Sequence, residues 1–161
     1  MNNLSVGASS GSTRKHWALV ADSGRARVLE IWRSPYEIRL VREFHSKAEH
    51  TTSKELASDG SGRAYNVQGP STHSKEQRSD PHEQAEQAFC KALVDYLEQA
   101  LQQNLLENLV VIADPKTLGR LRRAMGRSLQ TRVTEELNLD LTGLDLNELA
   151  PRLKSVLGWK Y

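Results

Sequence analysis

The fold is decided by residues 80–114, which run DPHEQAEQAFCKALVDYLEQALQQNLLENLVVIAD. Asp80 suits the N-cap of a helix, Pro81 suits its first position, and Glu83 would complete a capping box. Residues 108–114 are almost wholly apolar, which is typical of a buried parallel strand. A long helix that leads into such a strand predicts a right-handed crossover unit. The apolar face of the helix is expected to comprise Ala85, Ala88, Phe89, Ala92, Leu93, Tyr96, Leu97, Ala100 and Leu101.

Three strands are predicted upstream of this helix. Residues 16–22 (HWALVAD) are apolar on both faces, as a central strand requires. Asp22 and Gly24 supply the turn that follows, because Asp opens turns and Gly accepts a positive φ. Residues 25–32 (RARVLEIW) form the second strand, and residues 38–44 (IRLVREF) resemble an edge strand with outward charges. Short turns between successive strands predict an antiparallel meander.

Two further helices and one strand are predicted downstream. Residues 114–126 (DPKTLGRLRRAMG) repeat the Asp-Pro helix start, with Asp114 as the N-cap. Residues 131–138 (TRVTEELN) predict a strand, and residues 147–157 (NELAPRLKSVL) predict a closing helix. The order β-β-β-α-β-α-β-α predicts an α/β fold, in which three helices pack on a mixed five-stranded sheet.

Length and composition predict a single α/β domain over residues 15–161, preceded by a disordered tail over residues 1–14. A polar loop at residues 46–79 has no helical or strand periodicity, and loops this long are usually functional or disordered. The formal net charge of +2 does not by itself indicate nucleic-acid binding.

Cys90 is the only cysteine, which excludes an internal disulfide, and we interpret it as a small packing residue. Because the sequence has neither a secretory signal nor an apolar run of about 18 residues, we predict a cytoplasmic protein without membrane contact.

Four segments in order along the chain resemble a known family. They are HWALVADSGRARVLE (16–30), ELASDGSGR (55–63), SDPHEQAEQAFCKALVDYLEQAL (79–101) and LVVIADPKTLGRLRRAM (109–125). Together, over residues 17–157, they resemble the bacterial host attachment proteins, a family similar to the middle domain of archaeal and eukaryotic peptide-chain release factors.

The resemblance implies a ribonuclease-H-like mixed sheet and a translation-associated role. It also implies that the long loop stands where release factors carry a Gly-Gly-Gln tip. This chain contains no Gly-Gly-Gln, which argues against peptidyl-tRNA hydrolysis by that route. The family's name comes from a proposed role in bacterial attachment to a host.

The long loop supplies the first candidate binding residues. Asp59, Gly62 and Arg63 match the family pattern, and Tyr65 offers a ring on which a base could stack. Glycine permits a close approach of the backbone, and arginine is suited to phosphate. The alternative is a solvated loop, because acidic residues within it offset its cations.

The predicted helix at residues 114–126 and its continuation supply the second candidate. Lys116, Arg120, Arg123 and Arg127 recur at spacings of three and four on one expected exposed face. Each guanidinium is a planar fork that suits phosphate, so this face is a candidate docking strip for RNA. The alternative is an ordinary solvated helix face whose cations favour the helix C-terminus.

Asp22 and Asp114 are weak catalytic candidates, because each follows an apolar strand and the topology would make those strands adjacent and parallel. Their carboxylates could then hold Mg²⁺ as in nucleases, although each also has a local role in a turn or a helix cap. We expect no cofactor and no metal, and we favour a non-enzymatic binding module that contacts structured RNA or the ribosome. A protein–protein module for attachment to host cells and a metal-dependent nuclease are the alternatives, and the oligomeric state stays open.

Overall fold

The computed structural model describes residues 15–47 and 80–159. In chain order, these residues form β1 (His16–Ala21), β2 (Arg25–Arg33), β3 (Tyr36–His45), α1 (Pro81–Gln102), β4 (Asn108–Ala113), α2 (Pro115–Ala124), α3 (Arg127–Gln130), β5 (Val133–Asn138) and α4 (Leu146–Val156). The predicted order of strands and helices is confirmed, and the short helix α3 is an addition to it. The predicted tail lies outside the described residues, as does the predicted loop apart from Ser46 and Lys47.

The described strands form one sheet in the order β3-β2-β1-β4-β5. β1 is antiparallel to β2 and parallel to β4, and β4 is parallel to β5, which confirms the mixed five-stranded sheet. β1 lies at the centre and β3 at one edge, as predicted. Ala21 lies opposite Ala113 of β4, so the residues that follow β1 and β4 emerge at the same edge of the sheet. We call this end of the parallel strands the carboxyl edge. We call the opposite end, where β1, β4 and β5 begin, the amino edge.

Helices cover both faces of the sheet and create two apolar layers. Trp17, Leu19 and Ala21 of β1 pack on the side of α1 and α2. Ala18 and Val20 point to the other side, where α4 covers the sheet. Because both faces of β1 are buried, its sequence shows no alternation of apolar and polar residues.

The long helix α1 begins at its predicted cap, where Asp80 accepts a hydrogen bond of 3.0 Å from the N–H of His82. Its apolar face is rotated from the predicted one: Ala88 and Ala92 are exposed, and Val94 is buried. The buried residues are Phe89, Cys90, Leu93, Val94, Leu97 and Ala100. Each large side chain among them contributes about 1.5–3 kcal/mol by burial. Among the described helices, none is long and apolar enough to cross a bilayer.

The closing helix α4 carries the capping box that α1 lacks. The carboxylate of Asp145 accepts from the N–H of Glu148, and the Glu148 side chain accepts from the N–H of Asp145. Pro151 lies inside the helix and removes one backbone donor. The hydroxyl of Tyr36 donates to the carbonyl of Ala150 at 2.6 Å, which ties α4 to β3.

A break separates α2 from α3, although the sequence predicts that residue 127 continues the face of α2. Met125 and Gly126 have extended conformations, with ψ of 131° and 162°. The N–H of Gly126 donates to Oε1 of Glu98 on α1 at 2.8 Å. A Cβ at this position would lie 2.9 Å from the same oxygen, so the close approach requires glycine or a shift of the carboxylate. The break places Arg127 on a different element from Arg120.

Candidate functional site

At the carboxyl edge, Asp22 opens the turn after β1. Its carboxylate accepts from the N–H groups of Gly24 (2.8 Å) and Arg25 (2.6 Å), and it forms an ion pair of 3.2 Å with the Arg25 guanidinium. Burial acts to raise the pKa of Asp22, but the hydrogen bonds from Gly24, Arg25 and Thr142 outweigh it, so the pKa is lowered. The predicted turn role of Asp22 is confirmed.

Asp22 also has an acidic neighbour that the sequence does not reveal. The Thr142 hydroxyl oxygen lies 2.9 Å from Oδ2 of Asp22 and 2.6 Å from Oδ1 of Asp140. A hydroxyl carries one proton, so Thr142 can donate to one of these carboxylates at a time. Two carboxylates therefore compete for a single donor at the carboxyl edge.

Asp114 caps α2, as predicted. Its carboxylate accepts from the N–H groups of Lys116 and Thr117, both at 3.0 Å, and from the Thr117 hydroxyl at 2.6 Å. Burial acts to raise the pKa of Asp114, but these hydrogen bonds outweigh it and the pKa is lowered. Both weak catalytic candidates thus have local structural partners. Within residues 15–47 and 80–159, no three His, Cys, Asp or Glu side chains are grouped so that they could hold a metal ion.

The predicted exposed strip of basic residues is wrong in its central member, because Arg120 is buried at 5% exposure. Its guanidinium lies between two carboxylates of α1, Glu86 at 2.5 Å and Glu83 at 3.5 Å. The contact with Glu86 is a charge pair rather than an aligned hydrogen bond. Lys116 lies 3.3 Å from the same Glu86. Lys116 is exposed as predicted, whereas Arg120 is not, and the acids of α1 form ion pairs with both residues.

The other arginines of α2 and α3 have separate surroundings. Arg122 pairs with Glu136 of β5. Arg123 is exposed, and its Nε donates to the carbonyl of Gly119 at 3.2 Å. Arg127 begins α3, beyond the break. These side chains do not form one continuous docking surface.

Cys90 lies beside the Arg120 cluster and is buried, in keeping with its interpretation as a packing residue. Burial raises the pKa of its thiol to about 11, against the lowering effect of Arg120. Glu86 and Asp114 raise the pKa further. The thiol is therefore protonated at neutral pH and is a poor nucleophile.

The described residues form an open groove of about 910 Å³ at the amino edge. Three cations from separate elements line it: Lys15 before β1, Arg127 at the start of α3 and Arg132 before β5. Glu98 and Glu107 are the acids of the lining, and Glu98 is engaged by the N–H of Gly126. We call this surface the basic groove. Its complete lining is Lys15, Glu98, Leu101, Gln102, Asn104, Leu106, Glu107, Gly126, Arg127, Ser128, Thr131 and Arg132.

Sequence analysis identified Arg127 as a binding residue but missed Lys15 and Arg132. Each directly precedes a strand, and the strands that bring them together, β1 and β5, are far apart in the sequence. The loop candidates Asp59, Gly62, Arg63 and Tyr65 lie outside the described residues.

Two solved structures show distant similarity to this chain. The crystal structure of the archaeal translation termination factor aRF1 matches with a TM-score of 0.47 and 7% identity, over 91% of this chain and 40% of that one. The structure of Saccharomyces cerevisiae Dom34, a translation termination-like factor involved in RNA quality control, matches with a TM-score of 0.45 and 11% identity, over 90% and 34%. This chain therefore spans less than half the length of either protein. Similarity at this level carries no information about function.

No curated protein matches the chain. A family model described as "Protein required for attachment to host cells" matches residues 17–153, which is most of the chain. The matched range includes all the described strands and helices, except for the first residue of β1 and the last turn of α4. The chain belongs to this family of proteins required for attachment to host cells.

Proposed function

We propose that this chain is a non-enzymatic binding module that contacts RNA, free or within the ribosome, through the basic groove. The observation that carries the proposal is the convergence of Lys15, Arg127 and Arg132 on one open concave surface. Among the described residues, no carboxylate lies within ion-pairing distance of either arginine. Their charges are therefore available to a ligand.

The chemistry of these groups favours phosphate. An arginine guanidinium offers parallel N–H donors that match two phosphate oxygens, and such charge-assisted hydrogen bonds are stronger than neutral ones. A groove of about 910 Å³ is larger than a single phosphate needs, which favours a stretch of nucleic-acid backbone over a small anion. Glu98 and Glu107 reduce the local positive charge, so moderate, salt-sensitive binding is expected.

Arg63 and its neighbours in the long loop, Asp59, Gly62 and Tyr65, remain predicted contacts of the same ligand. Lys116 and Arg120 do not belong to the proposed surface, because carboxylates of α1 neutralise them. Arg123 of α2 is exposed but is not among the residues that line the groove.

The proposal is tested by fluorescence anisotropy with transfer RNA and by co-sedimentation with ribosomes, across a range of salt concentrations. Arg127→Glu and Arg132→Glu are each expected to weaken binding and to reduce the slope of log affinity against log salt by about one. Arg152→Glu is the matched control, because it makes the same change in net charge at an exposed position of α4. Wild-type affinity in both groove variants, or an equal loss in the control, would remove the proposal.

A second candidate is a protein–protein module that serves attachment to host cells, which the description of the family favours. It predicts that cross-linking captures one specific protein partner and that RNA binding is absent or insensitive to salt. The anisotropy titration therefore separates the two candidates.

A further inference from the structure

We propose that the protein has a second, smaller site that binds one phosphate-sized oxyanion at the carboxyl edge of the sheet. A cavity of about 140 Å³ lies there, where β1 ends and β2 begins, and it has room for several water molecules. Its lining comprises Val20, Arg25, Ala26, Arg27, Glu43, Phe44, His45 and Thr142. We call it the Arg27 pocket. This site goes beyond the proposed function and does not depend on it.

Arg27 is the residue that suggests a ligand. It is 9% exposed, although it lies on the apolar strand β2, and its Nη2 donates to the carbonyls of Leu141 (3.2 Å) and Thr142 (3.1 Å). Within the described part of the chain, no carboxylate lies within ion-pairing distance of Arg27. Its cross-strand neighbour Glu43 is exposed and forms no ion pair with it.

Buried charges in proteins are usually paired, because transfer of an isolated charge from water is costly. The two carbonyls satisfy part of the guanidinium, and no described carboxylate forms an ion pair with it, although Glu43 lines the same cavity. The Nε and Nη1 donors of Arg27 have no hydrogen bond to a described residue. An anion in the adjoining cavity would complete both the charge pair and the hydrogen bonds.

The rest of the lining suits an oxyanion better than an apolar ligand. Arg25 and His45 are cross-strand partners, so a guanidinium and an imidazole stand beside Arg27. Arg25 is already paired with Asp22, which makes Arg27 the main anchor. Glu43 is the one carboxylate among the lining residues, and it opposes anion binding. Removing its charge should therefore strengthen the site.

The Arg27 pocket and the basic groove lie at opposite ends of β1. Lys15 of the groove precedes β1, whereas Val20 of the pocket is near its end. At about 3.3 Å per residue, a strand of six residues separates the two sites by roughly 17–20 Å. A change in one site should leave binding at the other intact, so failure of one proposal is distinguishable from failure of the other.

The test is a titration of the full chain with inorganic phosphate, followed by backbone amide NMR and by calorimetry, against chloride at matched ionic strength. Wild type is expected to show saturable shifts in residues around Thr142. Arg27→Met keeps the side-chain length but removes the charge, and it should weaken phosphate binding by about tenfold or more. Arg132→Met is the control in the basic groove and should bind phosphate at this pocket as wild type does.

Glu43→Gln keeps the test decisive if Arg27→Met fails to fold. Glu43 is exposed, so its replacement should leave the fold intact, and phosphate should bind severalfold more tightly. Adenosine monophosphate is titrated in parallel. An affinity equal to that of inorganic phosphate indicates a site for free phosphate, and a higher affinity indicates a site for the phosphate of a nucleotide. Both outcomes support the pocket. No saturable response beyond chloride, or equal phosphate affinity in wild type, Arg27→Met and Glu43→Gln, would overturn the proposal.

Discussion

The pair formed by Glu86 and Arg120 makes a sharp prediction, because it decides whether Arg120 belongs to the core or to a ligand surface. Glu86→Gln keeps the size of the side chain and removes its charge. The Arg120 side chain is 4% exposed and that of Glu86 is 25% exposed, so the change leaves a buried guanidinium without its nearest carboxylate. Breaking a buried pair usually costs about 3–5 kcal/mol. Glu83 remains 3.5 Å from the guanidinium and compensates part of its charge although it is half exposed, so we expect a smaller cost of about 2–3 kcal/mol.

Urea denaturation followed by circular dichroism measures this cost in the free energy of unfolding. The melting temperature should fall by about 4–12 °C for a domain of this size. Lys91→Gln is the matched control on α1, because it breaks an exposed ion pair with Asp95 and should cost about 0.3–0.5 kcal/mol. In the background Arg120→Met, Glu86→Gln should cost much less, since no buried charge is then left unpaired. If Glu86→Gln costs no more than Lys91→Gln in the wild-type background, the assignment of Arg120 to the core is wrong.

Three further expectations concern the carboxylates of Asp22 and Asp114 and the thiol of Cys90. Asp114→Ala should lower the free energy of unfolding by about 1 kcal/mol through loss of the helix cap, and Asp114→Ser should recover most of it, as urea denaturation would reveal. The folded state lowers the pKa values of Asp22 and Asp114. Their contribution to the free energy of unfolding is therefore complete above the unfolded-state pKa of about 3.9, and it is lost as the pH falls through the folded-state pKa. Unfolding measured between about pH 5 and pH 2 should show this loss, and Asp114→Asn should reduce it to the part that Asp22 contributes. Cys90 should resist a thiol reagent at pH 8 in the native protein and react on addition of urea; rapid labelling without urea would contradict its burial and its pKa of about 11.

The parts of the fold that depend on adjacent residues could be predicted from the sequence. Asp22 opens a turn and Asp114 caps a helix because each bonds to backbone groups two or three positions away. The unbroken apolar run of residues 17–21 indicated a strand that is covered on both faces, and β1 lies at the centre of the sheet. Such local and periodic signals were sufficient for the α/β class and the mixed sheet.

The candidate sites could not be predicted in the same way, because their partners are distant in the sequence. The spacing of basic residues along the chain predicted that Arg120 is exposed. In the structure Arg120 is buried, and it forms an ion pair with Glu86 of α1. The break at Gly126 depends on the Glu98 carboxylate, and it separates Arg127 from the other arginines. Arg27 carries no signal in the sequence, since strands commonly contain single charged residues and only the fold covers this one.

These differences change the choice of experiments. Charge reversal at Arg120 would test folding rather than RNA binding, because it would place two acids of α1 against a third carboxylate. Arg127 and Arg132 are the positions at which reversal reports on a ligand. Reversal at Arg122 would disturb its contact with Glu136 and is not a neutral control either.

The central position of β1 also has a consequence for how the chain folds during synthesis. β1 pairs with the neighbouring β2 at once, but its other partner, β4, is far downstream, with His16 opposite Asn108. At about 5–20 residues per second, translation of the intervening chain takes roughly 5–20 seconds. During that time β1 has no partner on the side of β4, and the helices that cover its two faces have not yet packed. Its apolar side chains are then accessible to other chains, which favours aggregation, and to chaperones. Yield in a heterologous host should therefore depend on the rate of synthesis and on chaperone supply, and not on thermodynamic stability alone.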